Sequence, residues 1–207
     1  MNAQTLADGL ARLNLVLPHE TQRKLLDYVA LVQKWNKVYN LTAVRDADKM
    51  LTYHLLDSLA VAPHVAGAKT LLDVGSGAGL PGIPLALALP GMQVTLLDSN
   101  HKKAAFLHQA VIELQLGNAA VVCERVEKFH SKQLFSVVIS RAFSDLPAFV
   151  DQAGRLVAPE GTLLAMKGVH PAGEIAQIKG GFKLSGVTPL TVPGLAAERH
   201  LVFLKAA

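Results

Sequence analysis

Leu71-Leu-Asp-Val-Gly-Ser-Gly-Ala-Gly-Leu-Pro-Gly82 sets four glycines within eight positions behind a short apolar run. The run ends in Asp73. Gly75, Gly77, Gly79 and Gly82 follow, and residues 83–89 continue with helical character. Pro81 and Pro84 stand near the start of that helix, where a missing N–H costs least. The order is strand, glycine turn, helix. Glycine accepts positive φ and lets backbone come close to a ligand. The helix N-terminus behind it presents unpaired N–H groups and partial positive charge. A carboxylate, a phosphate or a ribose is the expected occupant.

Two ligand classes fit this turn. Gly77-Ala-Gly79-Leu-Pro-Gly82 is a literal G-x-G-x-x-G, the dinucleotide fingerprint. From Asp73 the stretch reads D-x-G-x-G-x-G, which resembles the first motif of class I S-adenosylmethionine methyltransferases. Either class needs an acid at the end of the next strand to hold ribose hydroxyls. Asp98 supplies it, nineteen residues after Gly79 (98 − 79 = 19).

A chain of 207 residues buries one sizeable core, so one domain is expected. An apolar share of 51% makes it globular rather than disordered. No window reaches about 18 uninterrupted apolar residues, which argues against a membrane helix. The start, MNAQTLADGLARLNL, has no basic segment before an apolar one and does not look like a signal peptide. The single cysteine, Cys123, excludes an internal disulfide and a multi-cysteine zinc site. Its setting, AAVVC, reads as a buried strand. A cytoplasmic location fits these features. The net charge of +4 permits a nucleic-acid partner without requiring one.

Residues 1–66 show helical periodicity. Leu25, Tyr28, Val29, Val32, Trp35 and Tyr39 recur at three and four, giving one apolar face. Pro18 precedes this helix, with His19 or Thr21 near its cap. Arg23, Lys24, Lys34 and Lys37 lie on the other face, and Arg45 and Lys49 follow. A second helix over 49–65 carries His54 and Asp57, which read as a structural pair. From residue 69 strands and helices alternate. Strands fall at 70–74, 93–98, 119–123, 135–140, 161–167, 184–192 and 200–205; helices fall at 80–89, 102–116, 146–157 and 173–179. The pattern predicts an α/β fold: a mostly parallel seven-stranded sheet with helices on both faces. The last two strands, joined by a turn at Pro193-Gly194, suit an antiparallel pair at the edge. One domain over 1–207 results, with a helical extension (1–66) on a Rossmann-like core (67–207).

With these pieces in place, the chain closely resembles the small-subunit ribosomal RNA methyltransferase G family, also called glucose-inhibited division protein B. The resemblance rests on six blocks in order: Trp35-Asn-Lys-Val-Tyr-Asn-Leu-Thr42, His54-Leu-Leu-Asp57-Ser58, the glycine turn from Asp73 to Gly82, Leu96-Leu-Asp98-Ser99, Ile139-Ser-Arg141-Ala142 and Glu198-Arg-His-Leu201. It implies a class I methyltransferase fold and methylation of a guanine N7 in 16S rRNA near the decoding site. S-adenosylmethionine would be the donor. By motif, Gly75, Gly77 and Leu80 belong to the cofactor turn, and Asp98 should accept from the ribose hydroxyls. Val126 and Glu127 fall where the family places adenine, and Arg141 where it places a cofactor-contacting arginine. Lys34, Lys37, Arg45, Lys167 and Arg199 are the candidates for rRNA contact. Lys167 stands out because it ends a central strand at the ligand edge. The implied partner is 16S rRNA or the small ribosomal subunit, with no membrane and a monomeric enzyme.

Methyltransferases acting on exocyclic amines often carry an acid- or Asn-led Pro-Pro-aromatic motif after strand four. Here that place holds Ser140-Arg141-Ala142. Guanine N7 is a ring acceptor with a free lone pair, so its methylation needs no general base. Guanidinium stays protonated, so Arg141 cannot act as one. No catalytic side chain and no metal ligand is assigned; alignment carries the reaction. Two other readings compete: a nicotinamide-dependent oxidoreductase, for which no separate substrate domain is evident, and a non-catalytic RNA-binding assembly factor, which leaves the glycine turn and Asp98 unused.

Overall fold

The computed structural model describes residues 3–141, 143–179 and 181–207. Ala142, part of one quoted block, therefore lies outside the described residues. The chain opens with α1 (Ala3–Arg12) and α2 (His19–Tyr39). Next come the short helix α3 (Ala47–Met50), a π-helical turn (Leu51–Leu56), and α4 (Asp57–Leu59) and α5 (Ala62–Val65). The second helix expected over 49–65 is thus four pieces. The π turn widens the spiral, and Pro63 in the first turn of α5 cannot extend a preceding ladder. At α2 the cap is Pro18 itself, without a side-chain bond; its carbonyl accepts the Gln22 N–H at 3.0 Å. Asn40 ends the helix in the left-handed region, φ 49°.

The sheet follows: β1 (Thr70–Val74), β2 (Gln93–Asp98), β3 (Ala119–Cys123), β4 (Phe135–Ser140), β5 (Val157–Lys167), β6 (Phe182–Pro189) and β7 (His200–Ala206). Its order is β3-β2-β1-β4-β5-β7-β6. The first five strands run parallel, and β7 is antiparallel to both β5 and β6. The expected edge pair is present, with β7 inserted on its inner side. Helices α6 (Gly82–Ala88), α7 (His101–Glu113) and α8 (Leu146–Ala153) link the parallel strands, and α9 (Ala172–Ile175) precedes β6. Asn100 caps α7 through the Lys102 and Lys103 N–H groups, and Asp145 caps α8 through Ala148 N–H. Strand β5 starts at Val157, earlier than position 161, because α8 stops at Ala153 and only a 3-10 turn (Gly154–Leu156) intervenes.

Side chains alternate across the sheet. Leu71, Leu96 and Ile139 join the apolar cluster of the N-terminal helices, α6 and α7; Leu72, Leu97 and Val138 join the cluster under α8. The N-terminal helices share that first cluster from Leu6 to Leu201. Tyr28 of α2 is fully buried, and its hydroxyl donates to the Ala78 carbonyl at 2.5 Å. The helical extension is thereby bonded to the glycine turn. Cys123 is half-buried rather than buried, because β3 is an edge strand; its Sγ lies 3.3 Å from His101 Nδ1.

Candidate active site

The glycine turn leaves β1 at its C-terminal end. Gly75, Gly77 and Gly79 all have positive φ (71°, 59° and 87°). The Gly75 and Ser76 N–H groups donate to the Leu97 carbonyl at 2.8 and 3.1 Å, tying the turn to β2. Asp98, at the end of β2, is held from two sides. Its Oδ2 accepts the Gly77 N–H at 2.8 Å and its Oδ1 the Asn100 N–H at 2.8 Å. Each oxygen keeps a further lone pair for an incoming hydroxyl. A Cβ built on Gly75 meets nothing within 4 Å, so the turn faces open space there.

That space is a pocket of about 330 Å³. It brings together Gly75, Asp98, Val126 and Glu127 from the sequence candidates and adds Phe143 and Gln152. Gly77 and Leu80 do not line it. Gly77 braces Asp98 from behind, and Leu80 is buried in the core. Arg155 steadies the far wall by donating to the Val126 and Phe129 carbonyls at 2.6 and 2.9 Å. Glu127 pairs with Arg125 at 3.8 Å and stays half exposed. The first N–H of α6 is not offered to a ligand. Gly82 N–H donates to Asp73 Oδ2 at 2.9 Å, so a buried carboxylate of the chain itself sits at that helix end. Among the described residues Asp73 Oδ1 meets no hydrogen-bond partner. Burial pushes the carboxyl up to about 7.

A second pocket, of about 350 Å³, opens beside the first. Arg141, the residue after β4, lines this one, and Phe143 lines the first. The second is walled by Tyr53, Asp57, Arg141, Lys167 and Arg199. Asp57, with 3% of its side chain exposed, meets Arg199 Nε at 2.8 Å and Arg141 Nη1 at 3.4 Å. Burial pushes its carboxyl above the usual range, and the two guanidiniums draw it back. Lys167 Nζ bonds Glu174 at 2.8 Å, so this candidate for RNA contact is already ion-paired. His54 does not pair with Asp57. Its Nε2 lies 2.7 Å from Thr42 Oγ1, while Nδ1 is buried and meets no hydrogen-bond partner among the described residues. Burial and then the Arg141 charge hold this imidazole down at about 4. Asn36 completes the link between α2 and the π turn. Its Oδ1 accepts the Thr42 N–H at 2.9 Å, and its Nδ2 donates to the Val44 carbonyl at 3.3 Å. Lys34, Lys37 and Arg45 are exposed, and Lys34 borders a separate groove between α2 and α7. Among the described residues no group of three or more His, Cys, Asp or Glu is placed to hold a metal.

The chain is similar to known proteins. The family model described as rRNA small subunit methyltransferase G matches residues 21–202. The chain belongs to that family. It is 55% identical to the ribosomal RNA small subunit methyltransferase G of Aromatoleum aromaticum, covering 99% of each chain. It is 56% identical to the namesake from Nitrosospira multiformis, covering 100% of this chain and 99% of that one. Among solved structures, the glycopeptide N-methyltransferase MtfA complexed with sinefungin aligns with a TM-score of 0.62 at 14% identity, over 74% of this chain and 94% of that one. At that identity the likeness concerns the fold alone. For a methyltransferase G family member the dinucleotide reading of the glycine turn is set aside, and so is the non-catalytic module.

The family blocks acquire physical roles here. Trp35–Thr42 and His54–Ser58 tie the helical extension together, and Ser58 Oγ donates to the His54 carbonyl at 2.6 Å. Arg141 and Arg199, from two separate blocks, converge on Asp57 of a third. Periodicity did not single out Tyr53, Phe143, Gln152 or Arg155. Only Arg155 carried a sequence signal, a lone cation beside an apolar helix.

Proposed function

We propose that the chain transfers a methyl group from S-adenosylmethionine to N7 of a guanine in 16S rRNA near the decoding site. Family membership over the whole chain carries this reading, and the pocket at the end of β1 and β2 fits the cofactor. Positive φ with open space at Gly75 permits close backbone approach, and Asp98 keeps acceptor capacity for two ribose hydroxyls. Val126 would offer its N–H and Glu127 its carboxylate to adenine. Gly77 and Leu80 shape the turn behind. S-adenosylmethionine supplies an electrophilic methyl on a sulfonium when bound. Arg141, the residue after β4, orients the acceptor rather than moving a proton. No general base is required, because N7 has no proton to lose.

Lys34, Lys37, Arg45, Lys167 and Arg199 are proposed to hold the RNA, with Arg199 and Lys167 nearest the chemistry and the α2 lysines reaching outlying phosphates. No described helix is long and apolar enough to cross a membrane. A cytoplasmic monomer acting on the small ribosomal subunit or an assembly intermediate completes the proposal. The test is incubation of purified protein with isotopically labelled donor and unmethylated small subunits, followed by mass spectrometry of the digested 16S rRNA. N7-methylguanosine at one position supports the reading. Label in an exocyclic amine, or none, overturns it.

A further inference from the structure

Among the described residues lining the second pocket, Asp57 is the one carboxylate. It bridges two arginines that approach from different strands: Arg141 just beyond β4 and Arg199 just before β7. Strand β5 lies between those two. Neither arginine is near the other in sequence, and each guanidinium rides on a long side chain with much rotamer freedom. The carboxylate that gathers them is fixed by the backbone. Asp57 closes the π-helical turn, its N–H donating to the Thr52 and His54 carbonyls. Arg141 Nη1 also bonds the Tyr53 carbonyl of the same turn at 3.3 Å. A π turn inside a helix is a costly irregularity found often at functional sites.

We propose that Asp57 is a positioning residue for the RNA substrate, holding Arg141 and Arg199 side by side so that together they seat the target nucleotide. The proposal rests on the reading of this chain as an RNA methyltransferase. Each guanidinium has five N–H donors. Arg141 directs two bonds to the Tyr53 carbonyl and Asp57, and Arg199 directs two to Asp57 and the Glu198 carbonyl. The planar fork suits a phosphate or a base oxygen. The lining carries three cations, Arg141, Lys167 and Arg199, against Asp57; with Glu174, which pairs with Lys167 from outside the lining, the cluster carries a net charge of +1 (3 − 2). Tyr53, 40% exposed on the same wall, offers an aromatic face for a base taken out of its stack. The volume of about 350 Å³ falls within the range of small-molecule sites.

Positioning differs from plain electrostatics in one measurable way. Asp57→Asn removes a negative charge and raises the net charge of the pocket, so attraction for RNA does not fall. Loss of the bridge frees both arginines, so the transfer rate does fall. The full-length protein and its Asp57→Asn variant are compared in steady-state methylation of small ribosomal subunits, with S-adenosylhomocysteine affinity by calorimetry and melting by circular dichroism. The expected result is a kcat lower by about 10- to 100-fold, with KM for the subunit unchanged or lower. S-adenosylhomocysteine affinity is unchanged. A wild-type kcat, a loss confined to KM, or a parallel loss of cofactor affinity overturns the proposal. Should Asp57→Asn be unfolded at the assay temperature, Arg199→Lys carries the test. It keeps the charge and loses the fork, and the same fall in kcat at constant KM is expected; a wild-type kcat overturns the proposal. A wild-type protein that labels no RNA overturns the activity itself, whereas labelling by wild type beside a fully active variant overturns the positioning role alone.

Discussion

Two glycines of the same turn face opposite environments, and substitution separates their roles. A Cβ on Gly82 would fall 2.7 Å from Asp73 Oδ2 and collide with Leu96, both buried. Gly82→Ala should therefore cost about 1–3 kcal/mol of stability, read by thermal melting. Gly75→Ala meets no atom and carries only the strain of φ +71°, yet its methyl points into the space proposed for the cofactor. It should melt within a few degrees of wild type and lose S-adenosylhomocysteine binding. Asp98→Ala should weaken that binding by about 1.5–3 kcal/mol by calorimetry, because a charge-assisted bond to ribose is lost. Unchanged affinity in both pocket variants would sink this placement. The buried titratable groups pull stability in opposite directions. Asp73 is raised from its usual value to about 7, so its contribution is full at low pH and is lost as pH climbs to 7. His54 is lowered to about 4, so its contribution is full above about 6.5 and is lost as pH falls to 4. The two slopes largely cancel between pH 4 and 6.5. Asp73→Asn should unmask the His54 slope, making the melting temperature rise with pH across that window; a flat profile in the variant would refute the assignment. Catalysis should show no such dependence. With no base to ionise, the single-turnover transfer rate should stay level from about pH 6 to 9 at temperatures well below melting. An ionisation that disappears in His54→Gln would mean a base takes part. Arg141→Lys, which keeps the charge without the fork, should still slow transfer.

Helix α2 hydrogen-bonds the glycine turn through Tyr28. Tyr28 is buried at the middle of the helix, and its hydroxyl meets the Ala78 carbonyl between Gly77 and Gly79. Burial pushes the phenol far above its ordinary range, so it remains a donor at any working pH. Removing the hydroxyl leaves a buried carbonyl unsatisfied, at a cost of about 1–3 kcal/mol. Tyr28→Phe should lower the melting temperature and also weaken S-adenosylhomocysteine binding, because the turn loses its brace. A Tyr28→Phe protein with normal stability and normal affinity would show the bond to be idle. The π turn works similarly as an element. It interrupts the helix expected over 49–65, and its irregular closure brings Tyr53 and Asp57 to one wall of the second pocket.

The basic residues proposed for RNA contact occupy two regions of the molecule. Lys167 and Arg199 stand in the second pocket, both ion-paired; Lys34, Lys37 and Arg45 are exposed on the helical extension. Their contributions should differ in kind. Neutralising Lys34 and Lys37 together should weaken binding to small subunits and reduce the log–log salt slope by about 1 for each phosphate no longer neutralised, without changing cofactor affinity. Arg199→Ala should act mainly on rate, because its partner Asp57 is left buried and unbalanced. Binding isotherms at several salt concentrations check both. A salt slope untouched by the double lysine variant would place the RNA elsewhere.

The sequence by itself determined the glycine turn, the strand on each side of it, the position of Asp98 and the alternation that builds a parallel sheet. These are local. Spacing of two, or of three and four, states which face of an element is buried, and a turn or cap needs only its neighbours. The family resemblance, rather than spacing, named Val126 and Glu127, and both line the pocket that holds Gly75 and Asp98. Only the tertiary structure decided which side chains meet across elements. Asp57 lies 84 residues from Arg141 and 142 from Arg199, and Tyr28 lies 50 from Ala78. No periodicity encodes those separations. The same limit explains why His54 and Asp57 read as a pair, why the ion pair of Lys167 with Glu174 went unseen, and why Cys123 read as buried. A helix or strand pattern does not state which strand is at the edge, nor which charge the packing will bring opposite another.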